Sequence, residues 1–598
     1  MTKLRCASLL SVVAVCVIGT LASCAASPGP APIEESNNEA TQPTTTTTTP
    51  RKQAKELALG VDPVHSGFNP HLLADDSRFI QTLARLTLPS IFVDGRLNTD
   101  LVVMVEELNR NGEVVSVTNA QHPEGHTSQS VSAARPTSTS TTAKPADSND
   151  AETDKPAPVK TVRYRLASGA QWSDGTPITV ADFEYLWSSM LNTPGTLNPA
   201  GYWAITDIRS SGGGKTIEVD FNKDIAEWRT LFDHILPSHV LRGVSFATAL
   251  SSTIPVSAGK FTMKSYDRNR GLITLNRNDR FWGKEPALVE NLNFREIRST
   301  DQGIELIQNG QISFMDVTPT ETSKEAYSLV PGTQVRTETD KYGLEIVANS
   351  HLPKPLRKEL RSIIDPGLIT RIAYNRRTDL TLVDKPGGTT TGSGMSLETT
   401  TEAAEPTVTG ETGETGETGV TGTGETPENT TDPIGLQTLN RPLIIGVDPS
   451  DPVVASAAKT LVNSLIRHGV RVTMKSADTN ELMQTLIPRG QVDAVVAKSG
   501  ANLADSYACP NIGLLGSNRS GFCQADTQIL INEYLTGKKT EDELTEHLAH
   551  LETDEALRTV IAIDTRLEVL GTGVTGPDPD LNQWPRGYAT VDTWHSKN

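Results

Sequence analysis

The alternation of apolar and polar positions in residues 162–190 predicts a strand, a turn and a helix in succession. Val162, Tyr164 and Leu166 alternate with arginines, which is the period of a strand with one buried face. The Trp-Ser-Asp-Gly-Thr-Pro run that follows predicts a turn, because Gly tolerates positive φ and Pro cannot continue a strand ladder. Thr179 is placed to cap the next helix. Its apolar residues recur at the spacing of one helical face: Phe183, Leu186, Trp187 and Met190.

A strand pattern recurs once in each half of the chain. The apolar run of residues 57–63 ends in Gly-Val-Asp-Pro, and residues 443–449 repeat it. In a second pair, residues 306–312 and 486–492, a helix pattern ends at Gly and leads into a further strand. Short matches also arise by chance. The alternative is two α/β lobes of related construction, each opened by one of the Gly-Val-Asp-Pro strands.

Three stretches lack the apolar residues that a packed core needs. Residues 24–55 are rich in Thr and Pro and predict a disordered tether. Residues 122–160 are rich in Ser, Thr, Ala and Pro, and residues 387–432 carry a Gly-Glu-Thr repeat. We interpret both as disordered insertions in surface loops.

The N-terminus predicts export and lipid attachment. Lys3 and Arg5 precede an apolar run typical of a signal peptide, shorter than the roughly 20 residues of a permanent membrane span. The Leu-Ala-Ser before Cys24 resembles a bacterial lipobox. We therefore expect a signal peptide at residues 1–23 and a lipoprotein whose Cys24 carries palmitate or a similar chain on the extracytoplasmic face of the cell membrane. Ordinary secretory cleavage is the alternative.

Two cysteines remain beyond this segment, Cys509 and Cys523. In an exported protein two thiols most simply form one disulfide. Closing a loop of about 15 residues contributes roughly 3 kcal/mol in the chain-entropy treatment. The sequence has no C-x-x-C, and a metal site needs more ligands, so we interpret the pair as structural.

The length and the net charge of the chain limit its possible domain organisation and binding partners. A chain of 598 residues exceeds what one core usually serves, so two or more domains are expected. The net charge of −18 argues against binding nucleic acid through a basic patch.

The unit at residues 162–190 resembles the W-S-D-G-x-P-[IV]-T signature of the family 5 extracellular solute-binding proteins, the peptide and nickel binders of ABC importers. Further stretches resemble this family in the same order, although residues 257–260 depart from its G-T-G-P. The resembling stretches are residues 235–240, 259–266, 275–282 and 356–365. The resemblance covers residues 57–563 apart from the insertions.

A narrower resemblance concerns residues 61–71 and 88–93 together with the Thr-rich insertions. These are similar to a lipoprotein branch of the family found in mycolic-acid-bearing actinobacteria. One member of that branch is linked to phosphatidylinositol mannoside and lipoarabinomannan synthesis.

The resemblance implies an α/β fold of the periplasmic-binding-protein type II, with two lobes, a hinge and an extra subdomain. We expect lobe I with the subdomain at residues 56–330, lobe II at residues 331–564, and a return to lobe I at residues 565–598. The implied function is capture of an oligopeptide-like solute between the lobes for an ABC permease. The alternative is a non-transport lipoprotein that binds a phosphatidylinositol mannoside-type glycolipid and regulates cell-envelope lipoglycan synthesis.

The sequence lacks the common motifs that would indicate an enzyme. The sequence contains neither G-x-S-x-G nor H-E-x-x-H, and the Gly-rich residues 212–216 precede a strand pattern where a phosphate loop needs a helix. His547 and His550 have the i, i+3 spacing of metal ligands on a predicted helix, but the Glu residues around them favour a solvated charged face. We therefore expect a monomeric binding protein, not an enzyme, with no cofactor and no metal. An envelope hydrolase is the remaining alternative.

Ligands of open α/β lobes bind at the carboxyl ends of the strands. The segments expected there are residues 62–71, 198–203, 448–451 and 500–507. The candidate ligand-binding residues within them are Asn69, His71, Tyr202, Trp203, Asp448, Asp505 and Tyr507. Asp505 and Tyr507 resemble the stretch where peptide binders set an acidic residue against the ligand's amino terminus. The aromatic faces of Tyr202 and Trp203 suit a peptide side chain, an acyl chain or a sugar ring, with core packing as the alternative.

Overall fold

The computed structural model describes residues 55–127, 157–375, 381–382, 435–509 and 516–597. Cys24, most of the predicted tether and the predicted insertion at residues 387–432 lie outside these ranges. The insertion predicted at residues 122–160 needs a correction at both ends. A strand occupies residues 122–127 and another begins at Lys160. The first of these pairs with its neighbour from Asn119↔His122 to Ser116↔Thr127, because backbone hydrogen bonds sustain an edge strand whatever its side chains.

The described residues form both strands and helices. The strands are β1 (Glu56–Val61), β2 (Phe92–Val93), β3 (Arg96–Leu97), β4 (Val102–Asn109), β5 (Val114–Asn119), β6 (His122–Thr127), β7 (Lys160–Leu166), β8 (Ile205–Ser211), β9 (Thr216–Phe221), β10 (Phe261–Asp267), β11 (Leu272–Arg277), β12 (Asn291–Glu296), β13 (Phe314–Val317), β14 (Gln334–Ala348), β15 (Thr381–Leu382), β16 (Leu443–Val447), β17 (Val472–Ser476), β18 (Ala494–Ser499), β19 (Arg558–Leu570), β20 (Val574–Thr575) and β21 (His595–Ser596).

The helices are α1 (Arg78–Thr87), α2 (Val180–Asn192), α3 (Ser238–Leu241), α4 (Thr300–Gln308), α5 (Ser323–Ser328), α6 (Lys354–Ile363), α7 (Pro366–Ala373), α8 (Pro452–Arg467), α9 (Thr479–Glu481), α10 (Leu503–Tyr507), α11 (Ala525–Leu535) and α12 (Glu541–Glu555). A π-helical turn, Leu482–Leu486, continues α9. Among the described residues, none of these helices is long and apolar enough to cross a membrane.

Two long antiparallel strands, β14 and β19, join the halves of the main sheet. Its strand order is β10-β11-β12-β1-β13-β19-β14-β18-β16-β17. We call the half with β1 and β10 to β13 lobe I, and the half with β16 to β18 lobe II. The pairing of β14 with β19 is regular up to Thr339↔Thr565 and resumes at Gly343↔Ile563. The intervening residues form the crossover between the lobes.

Each lobe has its own apolar core. The lobe I core includes β1 and also aromatic residues from beyond β19, where Trp584, Tyr588 and Trp594 surround the Phe314 ring at 5.0–5.9 Å. The end of the chain thus packs into lobe I. The lobe II core is built on β16, β18 and α8. A smaller apolar cluster, with Leu73 from lobe I and Met483 from lobe II, joins the two.

A second, antiparallel sheet forms the extra subdomain, in the order β6-β5-β4-β7-β9-β8. The strand–turn–helix predicted at residues 162–190 lies here as β7 and α2. Gly175 has φ +95°, and the Trp172 side chain is fully buried beside the turn. The Asp182 carboxylate accepts hydrogen bonds from the Thr179 and Ser238 backbone N–H groups at 3.1 and 2.9 Å. These contacts make the unit a scaffold that ties strand, turn and helix together.

The two sequence repeats occupy matching places in the two lobes. β1 and β13 are parallel with Leu59 opposite Phe314, and β16 and β18 are parallel with Ile445 opposite Ala494. In both lobes the second repeat leads into the second strand of the pair. The aligned sequences therefore give the same strand register in each lobe.

Candidate ligand-binding cleft

A cavity of about 380 Å³ lies between the lobes, over the crossover of β14 and β19. Lobe I contributes the residues after β1 and those leading into α1, together with Thr318. Lobe II contributes the residues after β16 and part of β18. The cavity thus lies at the carboxyl ends of strands from both lobes, where α/β proteins place their ligands.

Asp62, directly after β1, is the centre of a charged network on the lobe I side. Its carboxylate accepts hydrogen bonds from the Thr318 backbone N–H at 2.9 Å and hydroxyl at 2.8 Å, and it pairs with Arg566. Arg566 also pairs with Asp316 at 2.8 Å. Burial opposes ionisation of Asp62, but the Arg566 charge and the Thr318 hydrogen bonds outweigh it and hold the Asp62 pKa below its usual value.

Asp448, directly after β16, occupies the matching position on the lobe II side. It accepts hydrogen bonds from the Thr479 backbone N–H at 2.8 Å and hydroxyl at 2.9 Å, and from the Ser450 N–H at 3.0 Å. Of the seven candidate ligand-binding residues predicted from the sequence, Asp448 lines the cavity.

Lys498 of β18 brings a cation to the same cavity. Its ammonium lies 3.4 Å from Asp451 and 3.3 Å from Asp564, and 5.7 Å from the centre of the Tyr374 ring. Burial disfavours the charged ammonium, yet Asp564 and Asp451 together raise the Lys498 pKa above its usual value. This cation is held by protein carboxylates.

More carboxylates than cationic side chains line the cavity. Four cations face it: Arg78, Lys498, Arg519 and Arg566. Six carboxylates face it: Asp62, Asp76, Asp340, Asp448, Asp451 and Asp564. The lining thus has two more carboxylates than arginine and lysine side chains, which favours a cationic group over a phosphate.

Asn69 and His71 lie in the loop after β1, but outside the cavity lining. The Asn69 side chain donates to the Phe246 carbonyl at 3.0 Å and accepts from the His71 N–H at 3.1 Å. The His71 Nε2 lies 2.9 Å from the His234 carbonyl, and burial lowers the His71 pKa to about 4. Both side chains are buried and shape the loop, because its turns leave backbone groups that need partners.

Tyr202 and Trp203 also lie outside the cavity lining. The Tyr202 hydroxyl accepts a hydrogen bond from the Phe232 N–H at 2.8 Å, and its ring packs edge-on to Phe232. Trp203 is half-buried against the apolar cluster that contains Tyr507. Packing thus accounts for both aromatic residues.

The segments 198–203 and 500–507 were both expected to face the ligand, but they contact each other. Asp505 accepts a hydrogen bond from the Ala200 N–H at 2.8 Å, and Asn198 accepts one from the Asn502 N–H at 3.1 Å. Burial raises the Asp505 pKa to about 6, although these loops supply its carboxylate with hydrogen bonds. The carboxylate expected to face a ligand's amino terminus therefore contacts the loop of the other lobe.

Tyr507 and the two cysteines lie beside this contact. The Tyr507 side chain is buried in the cluster formed by α10, α11 and α12. Cys509 and Cys523 form a disulfide across a separation of 14 residues. The bond joins the end of α10 to the segment that precedes α11.

Several cavity residues were absent from the sequence-based candidates, above all Asp76, Asp340, Tyr342 and Arg566. Asp76 lies just before Ser77, whose hydroxyl caps α1 by accepting from the Ile80 N–H. The Ser77 cap follows the Gly-Val-Asp-Pro segment in the sequence, and this pattern could have been used to predict the position of Asp76. The other three lie at the crossover of β14 and β19, which depends on long-range pairing that a periodicity cannot show.

The chain matches the family described as "Bacterial extracellular solute-binding proteins, family 5 Middle" over residues 150–521. The chain belongs to this family. The predicted family resemblance and the predicted two-lobed α/β fold are confirmed, and as a family 5 protein the chain is a solute-binding protein.

Relatives of this family 5 chain include two differently named groups. The Mycobacterium tuberculosis protein "Probable monoacyl phosphatidylinositol tetramannoside-binding protein LpqW" is 27% identical over 82% of this chain and 75% of its own length. The "Oligopeptide-binding protein OppA" of Bacillus subtilis is 24% identical over 26% of this chain and 32% of its own length. The solved structure of the Bacillus subtilis oligopeptide-binding protein AppA, in complex with a nonapeptide, covers 91% of this chain and 99% of its own, with a TM-score of 0.57 and 13% identity.

Proposed function

We propose that this family 5 protein captures an oligopeptide-like ligand between its two lobes on the extracytoplasmic side of the membrane and delivers it to an ABC permease. The observation that carries the proposal is the cavity between the lobes, at the carboxyl ends of β1 and β16. Its volume of about 380 Å³ is at the lower end of small-molecule sites. The excess of carboxylates suits a ligand with an ammonium group.

Lobe closure would make the bound form recognisable to a permease. β14 and β19 are the strands that pass between the lobes, and their pairing is interrupted between Thr339 and Gly343. Cavity residues Asp340 and Tyr342 lie in this interruption. We propose that the lobes, lobe I at residues 56–330 and 565–598 and lobe II at residues 331–564, move about this crossover when a ligand binds.

Native mass spectrometry of the purified protein tests the proposed ligand class. The protein is measured before and after extraction with organic solvent, so that a bound peptide and a bound lipid are distinguished by mass and by extractability. We expect peptide masses that survive extraction. Recovery of a glycolipid alone would contradict peptide capture.

We also propose that Cys24 anchors the protein to the membrane through a lipid, following a signal peptide at residues 1–23. The support is the Leu-Ala-Ser-Cys lipobox after a short apolar run. Replacing Cys24 by Ala is expected to move the protein from the membrane fraction to the soluble extracytoplasmic fraction. A variant that stays with the membrane would contradict the anchor.

A second candidate function is a non-transport role in which the protein binds a phosphatidylinositol mannoside-type glycolipid and regulates lipoglycan synthesis. The similarity to LpqW, which covers 82% of this chain, favours it. The excess negative charge of the cavity opposes it, because such a ligand carries a phosphate. A permease and an ATPase encoded beside the gene would favour import, whereas an isolated gene would favour regulation.

A further inference from the structure

A second cavity, of about 440 Å³, adjoins the one between the lobes. We call it the side cavity, and we call the first one the cleft cavity. The side cavity is lined by α1, the loop at residues 90–94, the crossover and residues 586–589. Arg78 and Asp340 line both cavities, so the two spaces meet at this pair of side chains.

The Arg78–Asp340 pair that separates the cavities is only loosely joined. The Arg78 Nη1 lies 3.9 Å from the Asp340 Oδ1, which is too far for a hydrogen bond. Arg78 is fixed by other partners, because Asp316 lies 3.1 Å and Glu568 lies 3.3 Å from its guanidinium. The Asp340 Oδ1 accepts a hydrogen bond from the Lys341 N–H at 2.8 Å, which does not tie it to Arg78.

Asp340 lies in the crossover, about which the two lobes are proposed to move. The pairing of β14 with β19 is interrupted between Thr339 and Gly343, so the ladder does not run through Asp340. Burial raises the Asp340 pKa although Arg566 and Arg78 oppose this, so the carboxylate is incompletely compensated in its present place. A change in the angle between the lobes would therefore separate Asp340 from Arg78 at little cost.

The walls of the side cavity suit peptide residues. Phe92, Val93 and Ala589 supply apolar surface for side chains, and Gln81 and Thr339 supply amide and hydroxyl groups. Four arginine and lysine side chains line it against three carboxylates: Arg78, Arg85, Lys341 and Arg586 against Asp94, Asp233 and Asp340. The side cavity thus lacks the carboxylate excess of the cleft cavity and does not require a charged group from the ligand.

The size of the cleft cavity limits how much of a peptide it can hold. A compact space of about 380 Å³ is about 9 Å across, and an extended peptide spans about 3.3 Å per residue, so about three residues fill its length. The side cavity more than doubles the available space. A longer peptide would have to pass the Arg78–Asp340 pair to use it.

We propose that the ligand site continues past the Arg78–Asp340 pair into the side cavity, so that the protein binds an extended peptide with one part in each cavity. The inference rests on the proposed function, since it enlarges the same ligand site. The extended peptide connects lobe I, the crossover and lobe II.

The test compares a synthetic mixture of random tripeptides with a synthetic mixture of random hexapeptides. Apparent Kd values of the full chain for each mixture are measured by native mass spectrometry and by calorimetry. The wild-type protein is expected to bind the hexapeptides at least about tenfold more tightly, because the additional residues bury surface in the side cavity. Equal affinity, or a preference for tripeptides, would overturn the proposal.

The decisive variant is Ala589→Trp, which fills the side cavity from a position that does not line the cleft cavity. It is expected to lower hexapeptide affinity to that of the tripeptides and to leave the tripeptide Kd unchanged. If this variant fails to fold, Thr82→Trp brings the same bulk into the side cavity from α1, with the same expected result. A folded variant that keeps the hexapeptide preference would contradict the proposal.

The matched control is Ala74→Trp, because Ala74 is half-buried like Ala589 but lines only the cleft cavity. It is expected to weaken binding of both mixtures, and loss of hexapeptide binding alone would overturn the proposal. Binding of neither mixture by the wild-type protein would instead overturn peptide capture, and the extended site with it.

A last variant tests the passage between the cavities. Asp340→Ala removes the side chain that faces the fixed Arg78, so it is expected to strengthen hexapeptide binding relative to tripeptide binding. An unchanged ratio of the two Kd values would show that the ligand does not pass this pair, and would overturn the proposal.

Discussion

The two lobes use one strand frame with different charges at the cavity. In each, a strand that ends in Gly-Val and is followed by Asp pairs in the same register with the strand that follows the second repeat. The Asp after each strand binds both the N–H and the hydroxyl of a threonine, Thr318 for Asp62 and Thr479 for Asp448. We call these units the lobe I frame and the lobe II frame.

The two frames differ at the position next to this Asp, in the residue that pairs with the last residue of the strand. At matched positions the lobe I frame has Asp316 opposite Val61, and the lobe II frame has Val496 opposite Val447. Two neighbouring carboxylates, Asp62 and Asp316, require the Arg566 cation, whereas Asp448 needs only uncharged donors. The frame is thus the shared scaffold, and the charges added to it distinguish the two walls of the cavity.

The largest expected effect comes from breaking the lobe I network with Arg566→Met. Removing the cation takes away the ion-pair partner of Asp62 and leaves the buried Asp316 with Arg78 alone, at 3.1 Å. Loss of one partner of a buried ion pair costs up to about 3–5 kcal/mol. Urea unfolding measures the free energy of unfolding. The double variant Asp62→Asn/Arg566→Met should recover part of the loss, and an unchanged free energy in the single variant would contradict the network.

Asp505 extends the comparison to a buried carboxylate without a cation. Its pKa is raised from 3.8 to about 6, opposite in direction to the shift of Asp62. Because the folded protein holds the proton more tightly than the unfolded chain, its stability should fall as the pH rises from about 4 to 6. The shift corresponds to about 2–3 kcal/mol, and the side chain is only 3% exposed.

Unfolding experiments between pH 4 and 7 compare the wild-type protein with Asp505→Asn, which can still accept from the Ala200 N–H. The two should match near pH 4, and the variant should become the more stable by about 2–3 kcal/mol at pH 7. Parallel stability curves would show that Asp505 does not titrate in this range.

A third prediction concerns the glycine shared by the two frames. A Cβ on Gly60 would lie 2.8 Å from the Met315 Cβ, whereas one on Gly446 would lie 3.0 Å from a Leu482 methyl group. The Met315 Cβ is fixed by its backbone and the Leu482 methyl group can rotate away. We expect Gly60→Ala to cost about 2–3 kcal/mol and Gly446→Ala about 1 kcal/mol, measured by thermal unfolding. Equal losses of stability in the two variants would contradict the predicted difference in packing between the frames.

The sequence predicted the frame better than the site. The Gly-Val-Asp-Pro repeat, the turn at Gly175 and the helix face from Phe183 to Met190 are local patterns, and local sterics and burial determine them. Asp448 could be placed because it directly follows a recognisable strand. The loops at residues 198–203 and 500–507 were placed near each other in the cleft, but their side chains proved to be engaged with the protein.

The rest depended on contacts between distant parts of the chain. Arg566 reaches Asp62 across 504 residues, and Tyr342 reaches Asp76 across 266 residues. The periodicity of apolar residues along the sequence indicates neither of these contacts. Asp505 was selected because its stretch resembles one in peptide binders, but only the structure shows that its carboxylate already accepts a hydrogen bond from a backbone N–H of lobe I.

The smallest expected effect compares the two threonines of the frames. Thr318→Val and Thr479→Val each remove a hydroxyl that donates to an Asp, while the backbone N–H contact stays. The Thr318 hydroxyl also accepts a hydrogen bond from Arg566 at 2.9 Å, so its loss removes two contacts, both with charged groups. We expect a loss of about 1 kcal/mol for Thr479→Val and about twice that for Thr318→Val, by urea unfolding. In the Arg566→Met background the second contact is already absent, so the two losses should become equal. If they stay unequal there, the difference between the lobes does not arise from the Arg566 charge network.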